Sequence, residues 1–140
     1  MKTRIMVFGT FDGLHPGHLN MFKQAKKLAK KSFLIVSIAR DKNVLKIKKE
    51  IPTHNETKRM KLVKKIKIVD NVVLAGATKH LPHILSEGPH IIALGYDQRN
   101  YVKNLKKDLK NKGLLVKVVR LRPYKTHIYK NRLLKKKRAL

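Results

Sequence analysis

Short apolar runs alternate with amphipathic stretches along the whole chain. Five runs rich in valine, isoleucine and leucine have the length of buried strands, and they cover residues 4–8, 32–39, 71–75, 90–94 and 114–119. Between them apolar residues recur every three or four positions, which predicts helices over residues 19–29, 53–66, 78–85, 100–112 and about 126–138. Thr53 and Glu56 fit a capping box at the start of the second helix, and Gly113 fits the end of the fourth. Residues 41–49 are expected to form a loop.

This alternation predicts an α/β fold with a five-stranded parallel sheet and helices on both faces, wound in the Rossmann-like, doubly wound manner. The chain has 140 residues and no linker-like segment, so we expect a single domain over residues 1–140. Ligands of such sheets bind outside the carboxyl ends of the strands. The residues that follow each strand are therefore the first candidates for function.

One such stretch, GTFDGLHPGH at residues 9–18, lies between the first predicted strand and the first predicted helix. Its glycines permit a tight turn, and the free N–H groups at a helix start, together with the helix dipole, favour an anion. His15 and His18 flank this point, and each imidazole can donate a hydrogen bond to a phosphate oxygen. The pattern predicts phosphoryl or nucleotidyl transfer, in which positioning and charge stabilisation do most of the catalysis. The competing interpretation is a turn whose histidines only cap the helix.

The spacing Gly-Thr-Phe-Asp-x-x-His-x-Gly-His resembles the signature of the small nucleotidyltransferases that include cytidylyltransferases and archaeal FAD synthases. The resemblance extends from Arg4 to about Leu134 and implies direct attack of an acceptor phosphate on the α-phosphorus of a nucleoside triphosphate. It implies that His15 and His18 are catalytic. It also implies two sets of binding residues, namely nucleotide contacts at Gly9, Thr10, Phe11, Pro16, Gly17, Asp97, Tyr124 and Thr126, and phosphate or acceptor contacts at Lys46, Lys48, Arg59 and Arg120.

Several of these positions also fit a purely structural role. Lys46 and Lys48 are two of many lysines, Arg59 could be a surface charge on a helix, and Asp97 could form an Asx turn. The Tyr124 side chain could simply pack against neighbouring residues at a strand end. Asp12 could orient the turn, bind a metal or cap the helix. His80 and His83 lie three residues apart on the short third helix, but no third ligand is evident, and an accidental pair is favoured.

Mg²⁺ is expected as a cofactor, because it neutralises phosphates and prefers oxygen ligands. No carboxylate cage is visible in the sequence, so substrate oxygens would supply most of its ligands, and no metal ligand is assigned to a protein side chain.

Charge and composition add three constraints on function. The formal net charge is +27, from 35 Lys and Arg against 8 Asp and Glu, which would attract nucleotides and would permit non-specific binding of polyanions. The chain contains no cysteine, which excludes disulfides and thiol chemistry. It has neither an apolar run long enough for a membrane span nor a signal-like start, and we expect a cytoplasmic location without membrane partners.

The end of the chain departs from the resemblance. Most relatives begin their last helix with a Ser/Thr-rich phosphate-binding turn, and archaeal FAD synthases also carry cysteines there, whereas here only Thr126 offers a hydroxyl. The resemblance favours ATP and FMN as substrates, with CTP and glycerol 3-phosphate as the alternative pair. A non-catalytic module that binds nucleotides or RNA through its basic surface is the alternative of another class. Relatives are commonly dimers, and the apolar sheet edges would permit a homodimer.

Overall fold

Strands and helices alternate in the computed structural model, which describes residues 1–76, 80–96, 98 and 102–124. The described elements are β1 (Thr3–Gly9), α1 (Pro16–Lys26), β2 (Ser32–Ile38), α2 (Asp41–Lys48), α3 (Glu56–Lys64), β3 (Asn71–Leu74), α4 (His80–Glu87), β4 (Ile91–Leu94), α5 (Val102–Asn111) and β5 (Lys117–Arg120).

The strands of this part of the chain form one parallel sheet of five strands in the order β3-β2-β1-β4-β5. β1 pairs with β2 from Thr3 opposite Ser32 to Gly9 opposite Ile38. On its other side β1 pairs with β4. The strand order reverses between β1 and β4, and a doubly wound sheet opens a ligand crevice at the carboxyl ends of the strands at that point. The predicted fold class is confirmed.

Two apolar layers cover the two faces of the sheet. On one face the β1 residues Ile5 and Val7 pack with Phe22 of α1 and Val63 of α3. On the other face Met6, Phe8, Ile84, Leu105 and Leu109 form a second cluster against α4 and α5. Alternate residues of β1 therefore serve opposite layers, as the two-residue period of a strand requires.

Residues 41–48 form a helix, so the predicted loop over residues 41–49 is wrong. Val44 is the single buried residue of α2, and a helix with one buried position gives almost no periodic apolar signal. Asp41 in its first turn and lysines in its last turn suit the helix dipole. α2 ends at Lys49, whose φ of 55° is left-handed.

The predicted capping box at Thr53 is also wrong. Asn55 is the N-cap of α3, and its side-chain oxygen accepts a hydrogen bond from Lys58 N–H at 2.8 Å. The predicted end of the fourth helix is correct, because Gly113 has φ +70° and Leu114 N–H reaches back to Leu109 O at 3.0 Å.

The predicted basic helix at about 126–138 lies outside the described residues. No helix in the described ranges is long and apolar enough to cross a bilayer.

Gly9, the last residue of β1, packs directly against an aromatic ring. A Cβ atom at this position would lie 2.5 Å from Phe11 Cζ. The Phe11 ring is 4% exposed and also packs on Phe22, with ring centroids 5.2 Å apart. Glycine is therefore required at position 9 so that the Phe11 ring can enter the core beneath the turn.

We expect Gly9→Ala to destabilise the fold by about 1–3 kcal/mol, because the added methyl group overpacks a ring that cannot move outward without leaving the core. Urea unfolding measures the loss. Gly95→Ala is the matched control at the end of β4, since its Cβ would meet Gln98 Oε1 at 3.4 Å, an ordinary contact. Equal losses in the two variants would contradict the packing argument.

Candidate active site

The loop between β1 and α1 places two imidazole rings against each other. His15 is the N-cap of α1, and His18 is the third residue of that helix. Their ring centroids are 3.8 Å apart, and the ring planes are inclined by 23°. The buried Phe11 ring supports His18 from the side, nearly perpendicular at 76° with centroids 5.2 Å apart. The two histidines predicted to be catalytic are thus brought together at the carboxyl end of β1.

Backbone amides fix which nitrogen of each ring carries the proton. His15 Nδ1 accepts a hydrogen bond from Gly17 N–H at 3.0 Å. His18 Nδ1 accepts a longer one, 3.4 Å, from His15 N–H. An imidazole nitrogen that accepts a hydrogen bond has no proton, so each neutral ring carries its proton on Nε2. Capping therefore uses Nδ1 alone and is compatible with an Nε2–H that donates to a ligand.

Both rings are held in their neutral form. Burial lowers the pKa of His15 below its usual value. Burial, the neighbouring His15 and the positive charge of Lys48 together lower the pKa of His18 to about 4. At neutral pH each ring is thus an uncharged hydrogen-bond donor.

The start of α1 is suited to an anion. Pro16 is at the first helical position, and the first turn contains no acidic residue. The N–H groups of this turn carry the positive end of the helix dipole. The predicted contacts at Pro16 and Gly17 lie at this positive end, beside the histidine pair.

Asp12 is engaged by backbone amides of a second loop. One carboxylate oxygen accepts from Thr53 N–H at 2.6 Å, and the other accepts from His54 N–H at 2.9 Å. The sequence left three roles open for Asp12: orienting the turn, binding a metal or capping the helix. The structure shows that its carboxylate orients the backbone of residues 53–54. It does not cap α1, since His15 does.

Arg59 is buried completely, so its alternative interpretation as a surface charge is wrong. Its guanidinium donates to Thr10 O at 2.7 Å, to Asp41 Oδ1 at 2.6 Å and to His54 O at 3.0 Å. A side chain with no exposed surface and acceptors on three segments does not present itself to a solvent-borne phosphate. In this arrangement the guanidinium serves acceptors of the protein itself, and the phosphate contact at Arg59 stays a prediction.

Lys46 and Lys48 lie in the last turn of α2 and are exposed. Lys48 is near enough to His18 for its charge to lower the pKa of that ring. The structure thus brings Lys48 into the electrostatic surroundings of the histidine pair.

Arg120 secures the loop after β4. Its Nη1 donates to the carbonyls of Gly95 at 2.8 Å, Tyr96 at 3.2 Å and Gln98 at 3.0 Å. The side chain of Gln98 adds a second tie, because Nε2 donates to Phe8 O at 2.7 Å and Oε1 accepts from Gly95 N–H at 2.8 Å. Arg120 and Gln98 therefore join the ends of β1, β4 and β5 at the switch point.

The remaining predicted nucleotide contacts lie in three parts of the chain. Thr10 and Phe11 lie in the turn after Gly9, where the carbonyl of Thr10 is bound by Arg59 and the ring of Phe11 is in the core. Tyr124 is half-buried. Asp97 and Thr126 lie outside the described residues.

The chain just before Tyr124 is held to α1 by one glutamine. Gln24 Nε2 donates to Arg122 O at 2.9 Å, and Gln24 Oε1 accepts from Arg122 N–H at 2.8 Å. The segment after β5 is thereby tied to the helix that the two histidines begin.

The described residues contain no group of three or more His, Cys, Asp or Glu side chains placed to hold a metal ion. His83, one of the pair considered as ligands from the sequence, instead bonds through Nε2 with Ser37 Oγ at 2.8 Å.

Sequence reasoning missed the structural use of two polar residues at strand ends. Asp41 and Gln98 follow the second and fourth predicted strands, and no structural role was predicted for either. The signal for Asp41 is an acidic residue at the first position of a helix, where carboxylates are favoured. Gln98 follows Gly95 by three residues, the spacing at which a side-chain amide can satisfy the backbone of a turn.

Comparisons with known proteins identify the family of this chain. The model of the family described as cytidylyltransferase-like matches residues 6–137. A protein named FAD synthase from Korarchaeum cryptofilum is 45% identical over 122 residues, which are 86% of this chain and 82% of that protein. A protein of the same name from Methanosarcina mazei is 46% identical over 122 residues, 86% of this chain and 78% of its own length.

A solved structure gives the same result for the fold. The lipopolysaccharide core biosynthesis protein from Thermoplasma volcanium superposes with a TM-score of 0.80 at 34% identity, over 87% of this chain and 98% of that one. Because the family model spans nearly the whole chain and relatives above 40% identity cover most of it, this chain belongs to the cytidylyltransferase-like family of nucleotidyltransferases.

Proposed function

We propose that this enzyme is an FMN adenylyltransferase, an FAD synthase, which transfers AMP from ATP to the phosphate of FMN and releases pyrophosphate. The observation that carries the proposal is the stacked pair of imidazoles at the start of α1, each with Nδ1 bound to backbone and its proton on Nε2. The relatives named FAD synthase support the choice of ATP and FMN.

The reaction needs no covalent enzyme intermediate. An oxygen of the acceptor phosphate attacks the α-phosphorus of ATP, a new P–O bond forms, and the bond from the α-phosphorus to the bridging oxygen breaks. Pyrophosphate departs with the electron pair of that bond. Negative charge grows on the leaving oxygens as the bond lengthens, and fixed donors that already point at this place lower the barrier.

The residues near the start of α1 supply such donors. The Nε2–H groups of His15 and His18 and the ammonium of Lys48 are the proposed partners of the phosphate oxygens, and the two rings lie at the positive end of the α1 dipole. Because the rings are neutral and held by backbone, they donate without prior reorganisation.

We propose that Mg²⁺ accompanies the triphosphate and neutralises part of its charge when bound. The donor set fits a metal held mainly by phosphate oxygens, since the described residues contain no group of three His, Cys, Asp or Glu side chains placed to hold a metal and Asp12 already accepts the amides of residues 53 and 54. Pyrophosphate release measured with and without EDTA tests this assignment.

We expect His18→Asn to lower kcat by about 10²–10³, because asparagine can keep the acceptor for His15 N–H while the Nε2–H donor is lost. His18→Gln, whose amide can reach the Nε2 position, should retain more activity. Pyrophosphate release measures both. His90→Asn is the control, since His90 Nδ1 accepts from Arg4 N–H at the opposite end of the sheet. Wild-type turnover in His18→Asn would reject the role.

The free energy of unfolding should fall by about 2 kcal/mol between pH 7 and pH 5 through His18 alone. Its pKa of about 4 in the folded chain is below the usual 6.5, so the unfolded chain binds the extra proton in this range and acid favours unfolding. Urea unfolding at each pH measures the effect. The decline should be smaller in His18→Asn and unchanged in His90→Asn; identical pH dependence in all three proteins would contradict the assignment.

ATP with FMN should give pyrophosphate and FAD at least about 10²-fold faster than CTP with glycerol 3-phosphate, since a site that hydrogen-bonds one base and acceptor discriminates strongly against others. A faster reaction with CTP and glycerol 3-phosphate would make the enzyme a cytidylyltransferase. No pyrophosphate from any pair, together with RNA binding that weakens steeply with salt, would favour the basic binding module.

A further inference from the structure

The first residue of α2 and the first residue of α3 are hydrogen-bonded to each other, so α2 and the loop after it begin and end at neighbouring positions. Asp41 N–H donates to Glu56 Oε1 at 3.0 Å, and Glu56 N–H donates to Asp41 Oδ2 at 3.1 Å. These reciprocal bonds join the first residues of α2 and α3. Residues 42–52 lie between these two positions, and we call them the basic segment. They include Lys42, Lys46, Lys48 and Lys49.

The base of the basic segment is attached to the histidine motif by two charged side chains. Asp12 accepts the amides of Thr53 and His54 at the end of the segment. Arg59 donates to Asp41 at its start and to the Thr10 carbonyl within the motif. One turn of the motif, residues 10–12, therefore holds the segment at both ends.

Burial of the charged Arg59 side chain has a large desolvation cost. The side chain is 0% exposed, and within the described ranges its ionic partner is Asp41, whose side chain is 37% exposed. Burial raises the pKa of Asp41, but the hydrogen bonds from Arg59 and Glu56 N–H and the charge of Arg59 outweigh it, so the net pKa is lowered. A buried ion pair adds little net stability compared with apolar packing, whereas a planar guanidinium can fix three acceptors in one geometry.

We propose that Asp12 and Arg59 are positioning residues, which hold the basic segment against the histidine pair so that Lys48 meets the phosphates bound at the start of α1. Neither residue contacts the substrate. The proposal rests on the proposed function for its kinetic test. It is supported by the hydrogen bonds that tie both ends of the basic segment to residues 10–12, and the charge of Lys48 acts on His18. It gives Arg59 a role other than the predicted phosphate contact, and Asp12 a role other than metal binding.

A double-mutant cycle separates positioning from simple stabilisation. We expect Asp12→Asn to lower kcat/KM about tenfold, because an amide nitrogen then faces one of the two backbone N–H groups. In a Lys48→Ala background the same change should cost less than about twofold, since the ammonium that Asp12 positions is already gone. Arg59→Lys should show the same dependence on Lys48. Additive effects in both cycles would overturn the proposal.

Asp70→Asn is the matched control. Asp70 also accepts a backbone amide, Leu34 N–H at 2.7 Å, and pairs with a cation, Lys26, but it does so just before β3 at the amino end of the sheet. It should lose stability with kcat/KM unchanged. A tenfold loss of kcat/KM in Asp70→Asn would mean that reduced stability alone lowers activity, and would overturn the proposal.

Two further measurements keep the test decisive. If Asp12→Asn and Arg59→Lys fail to fold by thermal melting, Glu56→Ala opens the base of the segment while Glu56→Gln keeps the acceptor for Asp41 N–H. Only Glu56→Ala should lose activity, and equal activity in the two would overturn the proposal. If the wild type releases no pyrophosphate, the proposed function fails. The same double-mutant cycle is then measured through the Kd for ATP by calorimetry. Non-additive changes in Kd at positions 12 and 48 would still support positioning, and additive changes would still overturn it.

Discussion

The hydrogen bonds that cap α1 determine the chemistry available at this site. Capping by a serine or an aspartate would satisfy the same amides, but it would leave no donor. Imidazole differs because it has two nitrogens on opposite sides of a ring. The Nδ1 atoms of His15 and His18 accept from Gly17 N–H and His15 N–H, and this fixes the proton of each neutral ring on Nε2. One set of bonds thus completes the helix start and prepares two donors.

Neutrality of the rings follows from the same packing. Phe11 lies against His18, and it can do so because Gly9 has no side chain. Burial then disfavours the charged form of the imidazole. The charge of Lys48 adds to this effect at His18, and in a chain of net charge +27 a protonated ring would face further repulsion. In the proposed reaction, the positive charge that attracts the nucleotide and the neutral donors that contact it are therefore separate parts of the site.

Periodicity and motif spacing predicted the fold class, the positions of all five described strands and the location of the histidine pair. These features depend on local patterns: apolar runs, and a glycine-rich turn between a strand and a helix. The family expected from residues 9–18 is confirmed by the family model. α2 was missed because it buries only Val44. The surroundings of Arg59 were also missed. Its partners Thr10, Asp41 and His54 are far apart in the sequence, and no local sequence pattern indicates that they contact Arg59.

Arg59 illustrates why residue type alone misleads at such a site. A cation near a phosphate-binding motif suggests a phosphate contact, and an arginine in a lysine-rich helix suggests a surface charge; burial excludes the second and weighs against the first. What remains is a guanidinium whose donors reach the motif, the start of α2 and the loop before α3. A side chain in this place acts through the backbone it holds. The start of α1 and the basic segment are therefore separate elements of the site, and the hydrogen bonds of Asp12 and Arg59 tie the segment to the motif that precedes α1.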